Sequence, residues 1–207
     1  IAGGPDPRDY AGDLAALIDH LKLRDVVIVA QSMGGWCAVE YALTHPGALR
    51  GVVLASTTGT LNYHLIDEPE RTRLAQWASN SIALKTKWRE TGVHPAAGAR
   101  MAEEQPAMHQ LYRHIDDMNR ALDKEALRAR MQAARSRDPR ELAKVKCPVL
   151  FIGCDEDVQM PPFAGDAIVR TIPNARVEHI ENAGHSAYFE RPARFNAIVD
   201  AFLRSLP

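Results

Sequence analysis

Ser32 lies in Ala30-Gln31-Ser32-Met33-Gly34-Gly35, directly after the apolar run Val26 to Ala30 and directly before a helical pattern. A hydroxyl held on so tight a strand-to-helix turn projects above the sheet, where it can attack a carbonyl. Such a turn asks for small residues two positions to either side. Gly34 meets that requirement, while Ala30 on the other side adds one methyl. The N–H of Met33 would face the oxyanion formed on attack, aided by the positive end of the following helix. A purely structural alternative is a glycine-rich helix start with Ser32 as N-cap.

A serine hydroxyl needs a base to become a useful nucleophile. His185 stands in Glu181-Asn182-Ala183-Gly184-His185-Ser186, after the run Arg176 to Ile180 and before Phe189-Glu190-Arg191-Pro192. A loop beyond a strand end lies on the rim where α/β sheets bind ligands, although a structural histidine also fits there. Such a base is held in one tautomer by an acid that accepts its other N–H. The candidates follow a third apolar run: Asp155, Glu156 and Asp157 in Cys154-Asp155-Glu156-Asp157-Val158-Gln159-Met160-Pro161-Pro162. At most one of them serves; the other two are expected to be solvated loop charges.

The elements that must position these groups are legible as hydrophobic patterns. Val26–Ala30, Gly51–Leu54 and Val149–Ile152 are near-continuous apolar runs, the pattern of parallel strands covered on both faces. Arg176–Ile180 alternates less cleanly and reads as a possible edge. A helix is expected from Asp6-Pro7-Arg8-Asp9, with an N-cap, a Pro in the first turn and an early carboxylate. Its apolar stripe would be Leu14, Leu17, Ile18 and Leu21. Ala38, Val39, Ala42 and Leu43 mark a second helix, stopped by His45-Pro46-Gly47. Phe195, Ile198, Val199, Phe202 and Leu203 mark a last one beginning near Pro192. Strand alternating with helix predicts a parallel α/β sheet.

Residues 60–144 break that rhythm, with no strand-like run and helical spacing in Leu122, Ala126 and Leu127. They are expected to form an all-helical insertion between core segments 1–59 and 145–207.

The chain has 207 residues, 46% hydrophobic and 25% charged, with a formal net charge of -1. That is ordinary for a globular domain. It gives no basic field for nucleic acid, and no apolar run approaches the roughly 20 residues of a membrane helix. The three cysteines Cys37, Cys147 and Cys154 are odd in number and widely spaced, which argues for free thiols and a cytoplasmic, reducing setting.

Together the elbow Ala30–Gly35, the segment Pro148–Pro162 and the block Asn182–Pro192 resemble the capped α/β-hydrolase family of esterases, lactonases and carbon–carbon bond hydrolases. The likeness spans nearly the whole chain, although the insertion matches only in length, placement and character. It implies an α/β-hydrolase parallel sheet flanked by helices, with residues 60–144 as a helical cap. The serine, acid, histidine order is that of the family's triad. The resemblance implies Ser32 as nucleophile, His185 as base and Met33 N–H as oxyanion donor. It selects Asp157, which precedes Pro161 at the family's spacing, as the acid. Asp155 is the alternative, because Cys154 stands where the family usually has Gly. The family has further N-terminal strands, one followed by a loop that supplies a second oxyanion donor; nothing here corresponds to them, and Ile1-Ala2-Gly3-Gly4 resembles the tail of a later loop. A protein limited to these residues is therefore expected to be insoluble or inactive.

The resulting expectation is a cofactor-independent, metal-free hydrolase of a small-molecule ester, lactone or related carbonyl substrate. Carbon–carbon bond hydrolysis of ring-cleavage products and a non-catalytic, ligand-sensing role are the alternatives. Serine rather than aspartate at the elbow argues against epoxide hydrolase or haloalkane dehalogenase chemistry. His109, His114, Asp116 and Asp117 lie close together but lack metal-ligand spacing, so a solvated helix surface is expected. His94 could face the substrate, with the surface as its default; Trp36 and Cys37 are expected in packing; Cys154, near the proposed acid, could have a redox role, with a buried inert thiol the more usual outcome. Trp77, Trp88, Met101 and Met108 could line an acyl pocket, but at helical spacing such residues are more often core.

Overall fold

The four apolar runs become four parallel strands in a computed structural model that describes residues 9–119 and 122–207. They are β1 (Val26–Gln31), β2 (Leu49–Ala55), β3 (Val149–Cys154) and β4 (Ala175–Ile180), side by side in that order. Each extends slightly beyond its apolar run, because ladder hydrogen bonds do not depend on side-chain polarity.

β2 and β3 occupy the centre and are almost wholly buried. Their side chains alternate between two layers, as the strand period of two requires. Val52, Leu54 and Phe151 pack with Ile18, Ala38, Val39 and Ile168, from α1 (Asp9–His20), α2 (Gly34–Thr44) and α7 (Ala164–Val169). Val53, Ala55, Leu150 and Ile152 face the opposite way, onto Phe195, Ile198 and Phe202 of α9 (Pro192–Arg204).

Burial on both faces does not hold for β1. Among the described residues β1 pairs only with β2, and Val29 is 46% exposed. β4 is likewise half-buried and, among the described residues, pairs with β3 alone. The stripe expected on α1 also divides. Ala11, Leu14, Ala15 and Ile18 form the packed side, whereas Leu17 and Leu21 are exposed. The contact onto α2 is narrow, and both leucines project from its flank. The N-cap expected at Asp6-Pro7-Arg8, and Ile1–Gly4, lie outside the described residues.

Between β2 and β3 run α3 (Glu70–Glu90), α4 (Gly98–Glu104), α5 (Pro106–Asp117) and α6 (Lys124–Ala133), with 3-10 turns at Tyr63–Leu65 and Pro139–Lys144. Pro106 opens α5, and Asp123 caps α6 by accepting the Ala126 N–H at 2.9 Å. Leu122 precedes α6, and both it and Ala126 are exposed, so only Leu127 of that trio is core.

The two ends of this segment are tied together. Asn62 N–H donates to the Arg137 carbonyl at 2.7 Å and Arg137 N–H to that of Thr60 at 3.0 Å. The Arg137 guanidinium also grips Glu40 of α2 through contacts of 3.0 and 2.8 Å. Trp36 of α2 donates its indole N–H to the Met131 carbonyl at 3.0 Å and packs on Leu127 and Met131. Trp36 is therefore the packing residue expected from its place after Ser32.

Candidate active site

The turn after β1 forces Ser32 into left-handed backbone, with φ of 48°. A non-glycine residue pays a steric penalty there and persists only where its surroundings hold it. Ser32 N–H donates to the Ala55 carbonyl on β2 at 3.1 Å, and the Gly35 N–H returns to the Ser32 carbonyl at 3.0 Å. The N-cap position of α2 belongs to Met33, so Ser32 does not cap the helix. Its Oγ lies instead 2.7 Å from His185 Nε2.

The tight contact around this turn is not where the spacing placed it. A Cβ built on Gly34 would meet Ala30 Cβ at 3.7 Å, an ordinary contact. One built on Gly35 would come 2.3 Å from Thr57 Oγ1. Gly35 is the glycine that lets α2 approach the loop after β2, and only the fold identifies Thr57 as its neighbour.

His185 is buried on the loop after β4. Its Nδ1 lies 2.9 Å from Asp157 Oδ2, completing a row Ser32–His185–Asp157 that spans both ends of the described chain. Gln31, the residue before Ser32, donates its side-chain amide to the His185 carbonyl at 2.9 Å. No sequence signal marked Gln31 for that role.

Asp157 is 3% exposed. Its Oδ1 accepts the N–H groups of Gln159 at 2.7 Å and Met160 at 2.9 Å. Trp77 of α3 donates its indole N–H to the Asp157 carbonyl at 3.2 Å. The other two carboxylates turn elsewhere and are not merely solvated. Glu156 takes the Arg100 guanidinium at 2.8 and 3.0 Å, and Asp155 lies 3.2 Å from His179 Nδ1. The chain turns over Asp155 and Glu156, with the Asp157 N–H returning to the Cys154 carbonyl at 3.1 Å, so the three side chains leave in different directions.

Cys154 is buried and accepts the Ser56 hydroxyl at 3.3 Å. Burial first, then the nearby charges of Asp157 and Glu190, push its thiol up to about 12, so it is a poor thiolate. Glu190, in α8 (Ala187–Glu190), is 3% exposed and accepts main-chain N–H groups from Gly184 and Ser186. Burial raises its carboxyl to about 7 against the lowering effect of those two bonds. The sequence marked Glu190 only as part of a block.

His109, expected on a solvated surface, is buried and accepts the His94 N–H at 3.0 Å on its Nε2. Asp116 pairs with Lys124 at 2.8 Å and with His94 Nε2 at 3.3 Å. His94 is correspondingly half-buried rather than exposed, against the Tyr112 ring. His114 and Asp117 are exposed, as is Met108, whereas Met101 is core. Cys37 donates its thiol to the Tyr10 carbonyl at 3.1 Å. Among the described residues no group of three or more His, Cys, Asp or Glu side chains could hold a metal ion.

A cleft of about 510 Å³ opens between α3 and the loop after β3, lined by Trp77, Leu84, Trp88, Val158 and Phe163. Asp157 borders it, but Ser32 and His185 do not. The hydrogen-bonded row therefore lies beside this hollow and shares only Asp157 with it. Trp77 and Trp88 thus line a cavity, the alternative to core, and Trp77 also packs against Tyr63, Leu74 and Met160.

A parallel sheet with a serine on a strained strand-to-helix turn, faced by a histidine from a late loop, defines an α/β-hydrolase fold. The model of the alpha/beta hydrolase family matches residues 2–198, and the chain belongs to that family. It is 27% identical to BpoC of Mycobacterium tuberculosis, provisionally named a non-heme bromoperoxidase, over 99% of this chain and 78% of that protein. It is 28% identical to the 2-hydroxy-6-oxononadienedioate/2-hydroxy-6-oxononatrienedioate hydrolase of Burkholderia vietnamiensis, over 92% of this chain and 66% of that one. A thermophilic esterase from Thermogutta terrifontis superposes with a TM-score of 0.67 at 24% identity, covering 99% of this chain and 74% of the esterase. That last likeness is one of fold. Among the described residues, no helix is long and apolar enough to cross a membrane.

Proposed function

We propose that the chain is a serine hydrolase that cleaves a carboxylic ester or lactone through an acyl-enzyme. The observation that carries this reading is the row in which His185 meets Ser32 Oγ at 2.7 Å and Asp157 Oδ2 at 2.9 Å. Both distances lie within hydrogen-bond reach of a nucleophile, its base and the base's orienting acid.

In this reading Ser32 Oγ attacks the substrate carbonyl carbon as its proton passes to His185 Nε2. Asp157 accepts the Nδ1–H, holds the ring in that tautomer and stabilises the imidazolium. The Met33 N–H, at the positive end of α2, donates to the tetrahedral oxyanion. Collapse breaks the bond to the leaving alkoxide, which takes the proton back from His185. Water, deprotonated by the same nitrogen, then attacks the acyl-enzyme, releasing the carboxylic acid and restoring Ser32. Helices α3–α6, residues 60–144 with their flanking turns, act as the cap over this rim and decide which acyl and alcohol groups fit.

A second reading, hydrolysis of a carbon–carbon bond in a vinylogous diketone, uses the same three residues. The Burkholderia relative, named for a hydrolase of such an oxo-dienedioate, favours it. The test uses the full-length protein: a fluorophosphonate probe with the labelled residue mapped, then a panel of p-nitrophenyl esters, lactones and vinylogous diketones. Labelling at Ser32, lost together with turnover in Ser32→Ala, is expected. Turnover undiminished in that variant would remove the proposal, and activity confined to the diketones would select the second reading.

A further inference from the structure

His185 must point at two groups at once, so its aim depends on how firmly its backbone is held. The residues on either side donate their N–H groups to a single carboxylate, Gly184 to Glu190 Oε2 at 2.7 Å and Ser186 to Oε1 at 3.0 Å. Glu190 is anchored in turn. Its own N–H donates to the Ser186 carbonyl at 3.0 Å. Its carbonyl accepts the side-chain amide of Gln105, between α4 and α5, at 3.1 Å. The carboxylate is buried, and its hydrogen bonds run to these main-chain groups. Burying an ionisable group without a full counter-charge is unfavourable, but a space-filling residue would leave two buried N–H donors unpaired. What a carboxylate supplies, and an amide or an apolar side chain does not, is two equivalent acceptors for two adjacent donors.

We propose that Glu190 is a positioning residue for His185, its two oxygens clamping the N–H groups on either side and so aiming the imidazole between Ser32 and Asp157. The proposal rests on the reading of His185 as the general base. The groups that face Glu190 are Asp157, which disfavours its ionisation, and Arg191, which favours it. Cys154 and Tyr112 lie within electrostatic reach and stay neutral, because burial pushes each to about 12. Protonation converts one acceptor oxygen into a hydroxyl, so the clamp is complete only when the carboxyl is ionised. Glu190 then adds its own proton to the acid limb of the activity profile.

The experiment compares full-length wild type, Glu190→Gln and Ser32→Ala. Fluorophosphonate labelling and p-nitrophenyl acetate hydrolysis are followed between about pH 5 and 9. Glutamine keeps the shape but offers one acceptor and turns an NH₂ against the second N–H. Glu190→Gln is expected to lower kcat by about tenfold to a hundredfold with KM held within about twofold, the signature of a misaimed group. Its acid limb is expected to be shallower than that of the wild type by one proton; a merely structural role would leave that slope unchanged. NMR of the wild type provides a measurement that needs no variant: the Gly184 and Ser186 amide resonances are expected to shift together, with a midpoint at about 7. Labelling and kcat within twofold of wild type in Glu190→Gln, or two amides that do not titrate together, would overturn the proposal. If Ser32→Ala still labels and turns over, the Ser32 reading fails instead. If only Ser32→Ala is dead, the role of Glu190 alone is lost.

Discussion

Gly35, the second residue of α2, rests so close to Thr57 that a Cβ at position 35 would stand 2.3 Å from Thr57 Oγ1 and 2.5 Å from its Cγ2. The turn that strains Ser32 is therefore wedged from behind by the loop after β2. Gly35→Ala is expected to reduce unfolding free energy by about 1–3 kcal/mol, the usual effect of overpacking. Gly34→Ala has open contact with Ala30, and its stability is expected to stay within about 1 kcal/mol of wild type. Urea denaturation of the full-length variants checks the contrast; equal losses at the two positions would contradict it.

The three neighbouring carboxylates of the loop after β3 separate cleanly by partner. Asp157→Asn keeps the shape but offers an NH₂ to His185 Nδ1, favouring the wrong tautomer, and is expected to lower kcat by about 10³–10⁴-fold. Asp155→Asn loses only a half-exposed contact to His179 and is expected to stay within about threefold, since such surface pairs contribute little. Steady-state kinetics on one ester decides it, and a larger loss from the Asp155 change would transfer the acid's role there.

Glu190 also links stability to pH. Its carboxyl rises from 4.5 to about 7 on folding. Below 4.5 it is neutral in both states. Between 4.5 and about 7 only the unfolded chain releases the proton, so stability falls across that window. The full difference, about 3 kcal/mol, is reached above it. Glu190→Gln should flatten this part of the stability profile, measured as Tm against pH. A wild-type contribution that grows from acid to neutral pH at this residue would have the wrong sign.

The indole of Trp36 joins α2 to α6 through its 3.0 Å bond to the Met131 carbonyl. Trp36→Phe removes that donor and leaves a buried acceptor short of a partner, a loss expected at about 1–3 kcal/mol. Faster amide exchange in α6 should accompany it. Exchange unchanged there would mean that the contact does not hold α6 to the elbow helix.

Several features of this chain were legible because they are local. A short continuous apolar run bounded by turn residues reads as a strand, and three of the four strands announced themselves that way. The elbow was equally plain, since Ser32, Gly34 and the preceding strand are neighbours in sequence. Exposure was less legible: Leu17, Leu21 and Val29 carry the same apolar character as their buried neighbours, and only packing separates the two sets. Ser32 and His185 are 153 residues apart. Their order along the chain suggested a pairing, but the choice of Asp157 over Asp155 and Glu156 depends on which way one loop turns. The pairings of Gln31 with the His185 carbonyl, Glu190 with the flanking N–H groups and Thr57 with Gly35 were not legible in the sequence. Hydrophobic periodicity records which way a segment faces, whereas a hydrogen-bond partner is set by where distant segments meet, and that is decided only when the sheet and its helices have closed around the loops.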